Sequence, residues 1–144
     1  MLKLIAFDLD GTICDSVPLC IKAFSKAVTP YLDYEITEKE IVKTFGLNEI
    51  GMIKEIVKND WKNALCDFYT YYEELHGMCN SPFSGIYELI LFLKEKEVVV
   101  SLITGKGEKS CEITLKRIGM EDLFDEKMYG SEKSSNKGEN ILSL

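Results

Sequence analysis

The sequence predicts an α/β fold, a parallel sheet interrupted after its first strand by a helical insert. Three observations carry that prediction. An almost wholly apolar run, Leu2 to Phe7, leads directly into Asp8-Leu9-Asp10-Gly11-Thr12. Residues 17 to 78 carry apolar residues at helical spacing and no strand pattern. A second β-branched run, Val98 to Ile103, ends at Thr104-Gly105-Lys106. Strands buried on both faces read as continuous apolar runs of this kind, and ligands of open α/β sheets bind just past such strand ends.

In chain order, Leu2 to Phe7 is expected as the first, buried strand. Ser16 is placed to cap a helix with Pro18 in its first turn and Cys20, Ile21, Phe24, Ala27 and Val28 on one face, ended by Pro30. Thr37-Glu38-Lys39-Glu40 has the form of a capping box ahead of Ile41, Val42 and Phe45, with Gly46 as the stop. Asn48 opens a further helix with Met52, Ile53, Ile56 and Val57. Asn59 or Asp60 opens a fourth with Trp61, Leu65, Phe68, Tyr72 and Leu75, closed by Gly77. Ser84 is placed to cap a helix whose inner face is Ile86, Leu89, Ile90 and Leu93. After the strand at 98–103 comes a helix with Ile113, Leu115 and Ile118, stopped at Gly119, then a short strand near Lys127 to Tyr129. The division is therefore an α/β core of residues 1–15 and 82–144 and a helical segment of residues 16–81.

The chain has 144 residues, a 46% apolar fraction and a net charge of −7. That size and composition suit one globular domain, or a core with an insert, and the acidic balance disfavours a nucleic-acid partner. No apolar run approaches the roughly 20 residues of a membrane span, and the N-terminus has no signal-peptide pattern. Five cysteines, odd in number and without a Cys-x-x-Cys, read as reduced thiols of a cytoplasmic protein.

The chemistry concentrates in two places. Asp8 and Asp10, at i and i+2 in extended chain, turn to the same side. Two carboxylates that close call for a cation or a shared proton. An EF-hand calcium loop is excluded, because its glycine and glutamate positions hold Ile13 and Leu19 when counted from Asp8. Thr104-Gly105-Lys106 stands between a strand and a helix, where a hydroxyl, backbone amides and a helix N-terminus can hold phosphate. The following Gly107-Glu108-Lys109-Ser110 does not complete a nucleotide P-loop, since the four-residue gap between glycines is absent. Lys106 itself is read as pointing to solvent or to the insert. His76, the sole histidine, is read as a solvated helix end, and Tyr69, Tyr71 and Tyr72 as packing.

Asp8-Leu9-Asp10-Gly11-Thr12-Ile13-Cys14-Asp15-Ser16 resembles the first motif of the haloacid dehalogenase superfamily, in its phosphoglycolate-phosphatase-like branch. The resemblance implies a doubly wound, Rossmann-like core with a helical cap inserted after the first strand. It implies Asp8 as nucleophile, Asp10 as general acid/base, and Mg2+ held by Asp8 and Asp10. It assigns Thr104 to the phosphoryl group as the second motif, with Gly11, Thr12 and Gly105 as further phosphate contacts. A third-motif lysine is implied, for which Lys133 and Lys137 are the candidates. Lys137 is preferred because Asn136-Lys137-Gly138-Glu139 resembles a helix entrance.

A fourth motif of acids, expected after a further strand, is not found before Leu144, seven residues past Lys137. The expectation that follows is a chain shortened relative to complete relatives, with the first strand exposed as an apolar sheet edge open to self-association. The function expected is a magnesium-dependent phosphatase of a small phosphorylated metabolite, acting through an aspartyl-phosphate. The alternatives are a sugar-phosphate mutase of the same superfamily or a non-catalytic phosphate- or metal-binding remnant.

Overall fold

A computed structural model describes all 144 residues. The elements, in order, are β1 (Leu4–Phe7), α1 (Val17–Val28), α2 (Glu38–Val42), α3 (Glu49–Ile56), α4 (Trp61–Glu74), α5 (Ile86–Glu95), β2 (Val99–Ile103), α6 (Glu108–Ile118), β3 (Glu126–Met128) and α7 (Lys137–Ser143). Short 3-10 turns follow α1 at Thr29–Tyr31 and α4 at His76–Met78. All strands are parallel in the order β1-β2-β3, with Leu4 opposite Val99 and Ser101 opposite Glu126. The α/β class and the uninterrupted helices between β1 and α5 match the sequence reading.

β2 is the central strand, and Val100, Ser101, Leu102 and Ile103 are buried. β1 is an edge strand, as the expectation of an exposed apolar edge had it, and not the buried strand its composition alone suggests. It has a neighbour on one side only, so Phe7 alone of its residues is buried and Ala6 is exposed. Its composition suits a strand covered on both faces, but an edge position removes half the cover.

Side-chain caps fixed two of the seven α-helix starts. Thr37 and Glu40 form the reciprocal capping box, and the Asn48 side chain accepts the Gly51 amide at 3.0 Å. Other starts differ. Ser16 occupies the N-cap of α1 without capping it, since its hydroxyl is turned to the aspartate loop, where it donates to Asp10 and accepts from the Cys14 thiol. α5 begins after Gly85, whose φ of 87° lets the chain turn into the helix, so Ser84 is not the cap. Leu89, expected inside, is exposed, whereas Ile90 and Leu93 are buried. α2 stops at Val42, short of Gly46, which instead takes a φ of 107° in the loop entering α3.

One continuous core joins the helical insert to the sheet. Phe24 of α1 meets Phe68 of α4 edge-on at 6.3 Å, and Phe68 stacks on Tyr72 at 5.5 Å. His76 is a second correction, for it is buried rather than solvated. Its Nδ1 bonds the Cys79 carbonyl at 2.9 Å and its Nε2 bonds Thr114 Oγ1 at 2.8 Å. The Tyr72 hydroxyl meets the same Thr114 oxygen at 2.6 Å. Thr114 belongs to α6, so this buried polar trio ties α4 to the helix that follows β2. Burial lowers the His76 pKa.

Candidate active site

The carboxyl end of β1 places both aspartates. Phe7 and Leu9 are buried on either side of Asp8, so Asp8 and Asp10 are left facing outward. Gly11, at φ 79°, then reverses the chain. Its amide donates to the Cys14 carbonyl at 2.8 Å, and the Thr12 amide donates to Leu9 at 3.2 Å. Both residues are exposed and neither lines the cavity. Gly11 and Thr12, expected as phosphate contacts, thus form the turn that aims the aspartates, and their amides are already committed.

Lys137 comes to this point from the far end of the chain. Asn136 and Asn140 both donate to the Tyr129 carbonyl, which anchors the start of α7 beside the end of β3. Lys137 Nζ then lies 2.9 Å from Asp8 Oδ2, while Asp8 Oδ1 accepts the Leu9 amide at 2.8 Å. Lys133 is exposed, with no ion pair. The geometry therefore selects Lys137 over Lys133 as the cation beside Asp8.

Asp10 is held by groups that sequence reasoning did not assign to it. Its Oδ1 accepts hydrogen bonds from the Ser16 hydroxyl and, at 3.7 Å, the Cys20 thiol. Lys106 Nζ stands 3.4 Å from the same oxygen, donates to Cys20 Sγ at 2.8 Å, and sits 4.7 Å from the centre of the Tyr72 ring. Of the two directions the sequence left open, Lys106 takes the one toward the insert, buried against Cys20 and Tyr72 at the site, and not the one toward solvent. Burial alone would lower its pKa, but Asp10, with Cys20 and Tyr72 nearby, holds it well above the usual lysine value. Burial, then the charge of Asp10, pushes the Cys20 thiol up to about 12.

Thr104 is fully buried behind the cavity, where its Oγ1 accepts the Lys106 amide at 3.1 Å. It shapes the loop, while Gly105 and Lys106 form the wall. That loop lies tight against the one after β3. The Gly130 amide donates to Lys106 at 2.7 Å, and a Cβ on Gly130 would stand 1.9 Å from the Gly105 carbonyl oxygen, so only glycine fits.

The helical insert closes over these loops. Asn48 donates through its backbone to Ser131 at 2.9 Å and through its side chain to Gly130 at 3.2 Å. Lys54 pairs with Glu132 at 2.6 Å. Glu49, which the sequence did not single out, is buried. It accepts from the Gly107 amide and the Ser110 hydroxyl at 2.8 Å each, and from the Tyr69 hydroxyl at 2.9 Å. A carboxylate at the N-terminus of α6 is favoured by the free amides and the helix dipole there. Its one sequence signal is its place directly after the Asn48 cap.

Between insert and sheet lies a cavity of about 290 Å³ containing Asp8, Asp10, Gly105, Lys106 and Lys137, with Val17, Leu47, Met52 and Phe68 on the insert side. A carboxylate backed by a lysine, a second carboxylate two residues on, and a small cavity can support nucleophilic attack and proton transfer. A family model described as haloacid dehalogenase-like hydrolase matches residues 5–142. The chain belongs to this family.

Among relatives of this haloacid dehalogenase-like chain, a phosphoglycolate phosphatase of Neisseria meningitidis is 27% identical over 130 residues. The match covers 83% of this chain and 55% of that protein. Pyrophosphatase PpaX of Halalkalibacterium halodurans is 22% identical over 121 residues, covering 84% and 56%. The chain thus spans little more than half the length of these relatives. In three dimensions, CbbY from Rhodobacter sphaeroides, solved in complex with phosphate, aligns with a TM-score of 0.73 at 17% identity, covering 90% of this chain and 64% of that one. That likeness establishes the Rossmann-like α/β fold. No helix is long and apolar enough to cross a membrane.

Proposed function

We propose that the chain carries a phosphatase site for a small phosphorylated metabolite, with residues 16–81 as its cap over a core of residues 1–15 and 82–144. The observation that supports this best is the pairing of Asp8 with Lys137 at 2.9 Å at the floor of a small cavity, with Asp10 beside it.

Asp8 Oδ2 attacks phosphorus, the bond from phosphorus to the leaving oxygen breaks, and Asp10, which takes up a proton as the phosphorylated substrate binds, gives that proton to the leaving oxygen. Asp10, now a carboxylate, takes a proton from water as the water attacks the aspartyl-phosphate. Phosphate departs and Asp8 is restored. Lys137 offsets charge on the phosphoryl oxygens, where fixed cations act most strongly on the transition state. Gly105 brings backbone close to the phosphoryl group, and Thr104 fixes the loop that carries it. Ser16 and Lys106 hold Asp10 in place.

The donor set fits magnesium, which takes hard oxygen ligands and is commonly held by one or two carboxylates together with substrate phosphate and water. Asp8 and the Asp10 carbonyl would hold it, and no cluster of three or more acidic, histidine or cysteine ligands stands here. When bound, it would supply charge neutralisation between carboxylate and phosphate. A cytoplasmic setting and self-association through the part-exposed β1 belong to the same reading.

The test is hydrolysis of p-nitrophenyl phosphate with magnesium, by the wild type and by Asp8→Asn. Turnover in the wild type and none in the variant is the expected result. Equal rates would overturn the assignment.

A further inference from the structure

The charges that line the cavity are unequally partnered. Its cations are Lys106 and Lys137, and each is already paired with a site carboxylate, Lys106 with Asp10 at 3.4 Å and Lys137 with Asp8 at 2.9 Å. The insert lines the space with apolar Val17, Leu47, Met52 and Phe68 and with one charged group, Glu49, beside the Gly107 amide. No arginine or histidine lines the space. Glu49 is held by an amide and two hydroxyls at the N-terminus of α6, so the helix dipole favours its charge but no cation pairs with it. Lys109 lies over the Tyr69 ring at 4.4 Å and is outside the cavity lining.

These facts bear on the group that departs from phosphorus. With the phosphoryl end at Asp8, the leaving group extends toward Met52, Phe68 and Glu49. An uncharged alcohol buries its carbons there, which is favourable. A leaving group with its own carboxylate or phosphate would lose part of its water beside Glu49, with no free cation to pair it. An unpaired buried charge is strongly unfavourable, and like charges placed together add to that. The cavity's 290 Å³ stands at the small end of ligand sites, so the alcohol must be small.

We infer that this site selects phosphate monoesters of small uncharged alcohols and rejects those whose leaving group is anionic, with Glu49 as the residue that sets the rejection. The inference rests on the phosphatase reading for the position of the phosphoryl group. It separates this chain from the relatives named for phosphoglycolate and pyrophosphate, whose leaving groups carry an anion.

The test is calorimetry, with magnesium present, using two phosphonates whose P–C bond the reaction does not cleave: propylphosphonate, with an uncharged tail, and phosphonoacetate, with an anionic one. Propylphosphonate is expected to bind the wild type about tenfold or more tightly than phosphonoacetate. Glu49→Gln, which still accepts a hydrogen bond from Gly107, should narrow that ratio to about threefold or less. Met52→Lys, which puts a cation on the apolar wall, should reverse the preference and serves if the Glu49 variant fails to fold.

Equal or tighter binding of phosphonoacetate by the wild type overturns the inference, as does an unchanged ratio in folded Glu49→Gln. Hydrolysis of aryl phosphate with neither phosphonate bound overturns the selectivity and leaves the phosphatase reading standing. The stated preference without any hydrolysis overturns the phosphatase reading and leaves the selectivity.

Discussion

Lys137→Ala separates stability from catalysis. At 2.9 Å, Coulomb's law gives the Lys137–Asp8 pair about 1.4 kcal/mol in water and about 6 kcal/mol at an effective dielectric constant near 20. Both side chains keep more than a third of their exposure, at 40% and 37%, so solvent screening moves the pair toward the lower figure. Exposed pairs contribute about 1 kcal/mol or less, and that is the expected loss of stability in a urea titration. The transition state is different. Charge develops on the phosphoryl oxygens beside this ammonium, and removing one such stabilising contact costs about 10²- to 10³-fold in kcat. Steady-state hydrolysis of p-nitrophenyl phosphate should fall by that factor while the urea midpoint barely moves. Lys133→Ala is the matched control, and both its measurements should equal the wild type. A Lys137 variant within threefold of wild-type kcat would refute the placement of this lysine at the phosphoryl group.

Three further outcomes follow from the geometry. Burial lowers the His76 pKa, so the unfolded chain takes up a proton near its ordinary value of about 6.5 before the folded chain does. The urea midpoint should therefore hold above that pH, decline as pH falls toward the folded-state value, and lose that decline in folded His76→Gln. With its thiol pushed up to about 12, Cys20 should resist iodoacetamide at pH 8, as should buried Cys14, Cys79 and Cys111, leaving exposed Cys66 as the one residue labelled in a peptide map. Gly51→Ala would place a Cβ 2.3 Å from the Glu132 carbonyl oxygen, so the insert must shift off the loop after β3. Thermal melts should show a loss of about 1–3 kcal/mol, with faster proteolysis around residues 46–51.

Much of this molecule was legible in the sequence because local rules decide it. The apolar run before Asp8, the capping box at Thr37 and Glu40, the Asn48 cap and the Gly119 stop act within a few residues, and the structure contains each of them. The Lys137 placement was legible because a helix entrance positions its first side chain. What was not legible depends on partners distant in the chain. Ser16 has the composition of a cap, but its hydroxyl is turned to Asp10. His76 sits where a solvated helix end would, yet Cys79 and Thr114 satisfy both ring nitrogens and permit burial. Lys106 resembles a surface lysine until Asp10, Cys20 and Tyr72 are brought around it. Glu49 has no periodic or motif signal, since its role exists only when the insert folds onto α6. The edge position of β1 was expected only from the motif order along the whole chain, since the strand's own apolar residues read as buried.

The central claim is that Asp8 receives the phosphoryl group. Its most direct measurement is mass spectrometry of peptides from protein incubated with p-nitrophenyl phosphate and magnesium, then quenched in acid within a single turnover. A phosphoryl adduct on the peptide bearing Asp8, absent from Asp8→Asn, is the predicted result. Turnover with the adduct on another residue, or undiminished turnover in Asp8→Asn, would contradict it.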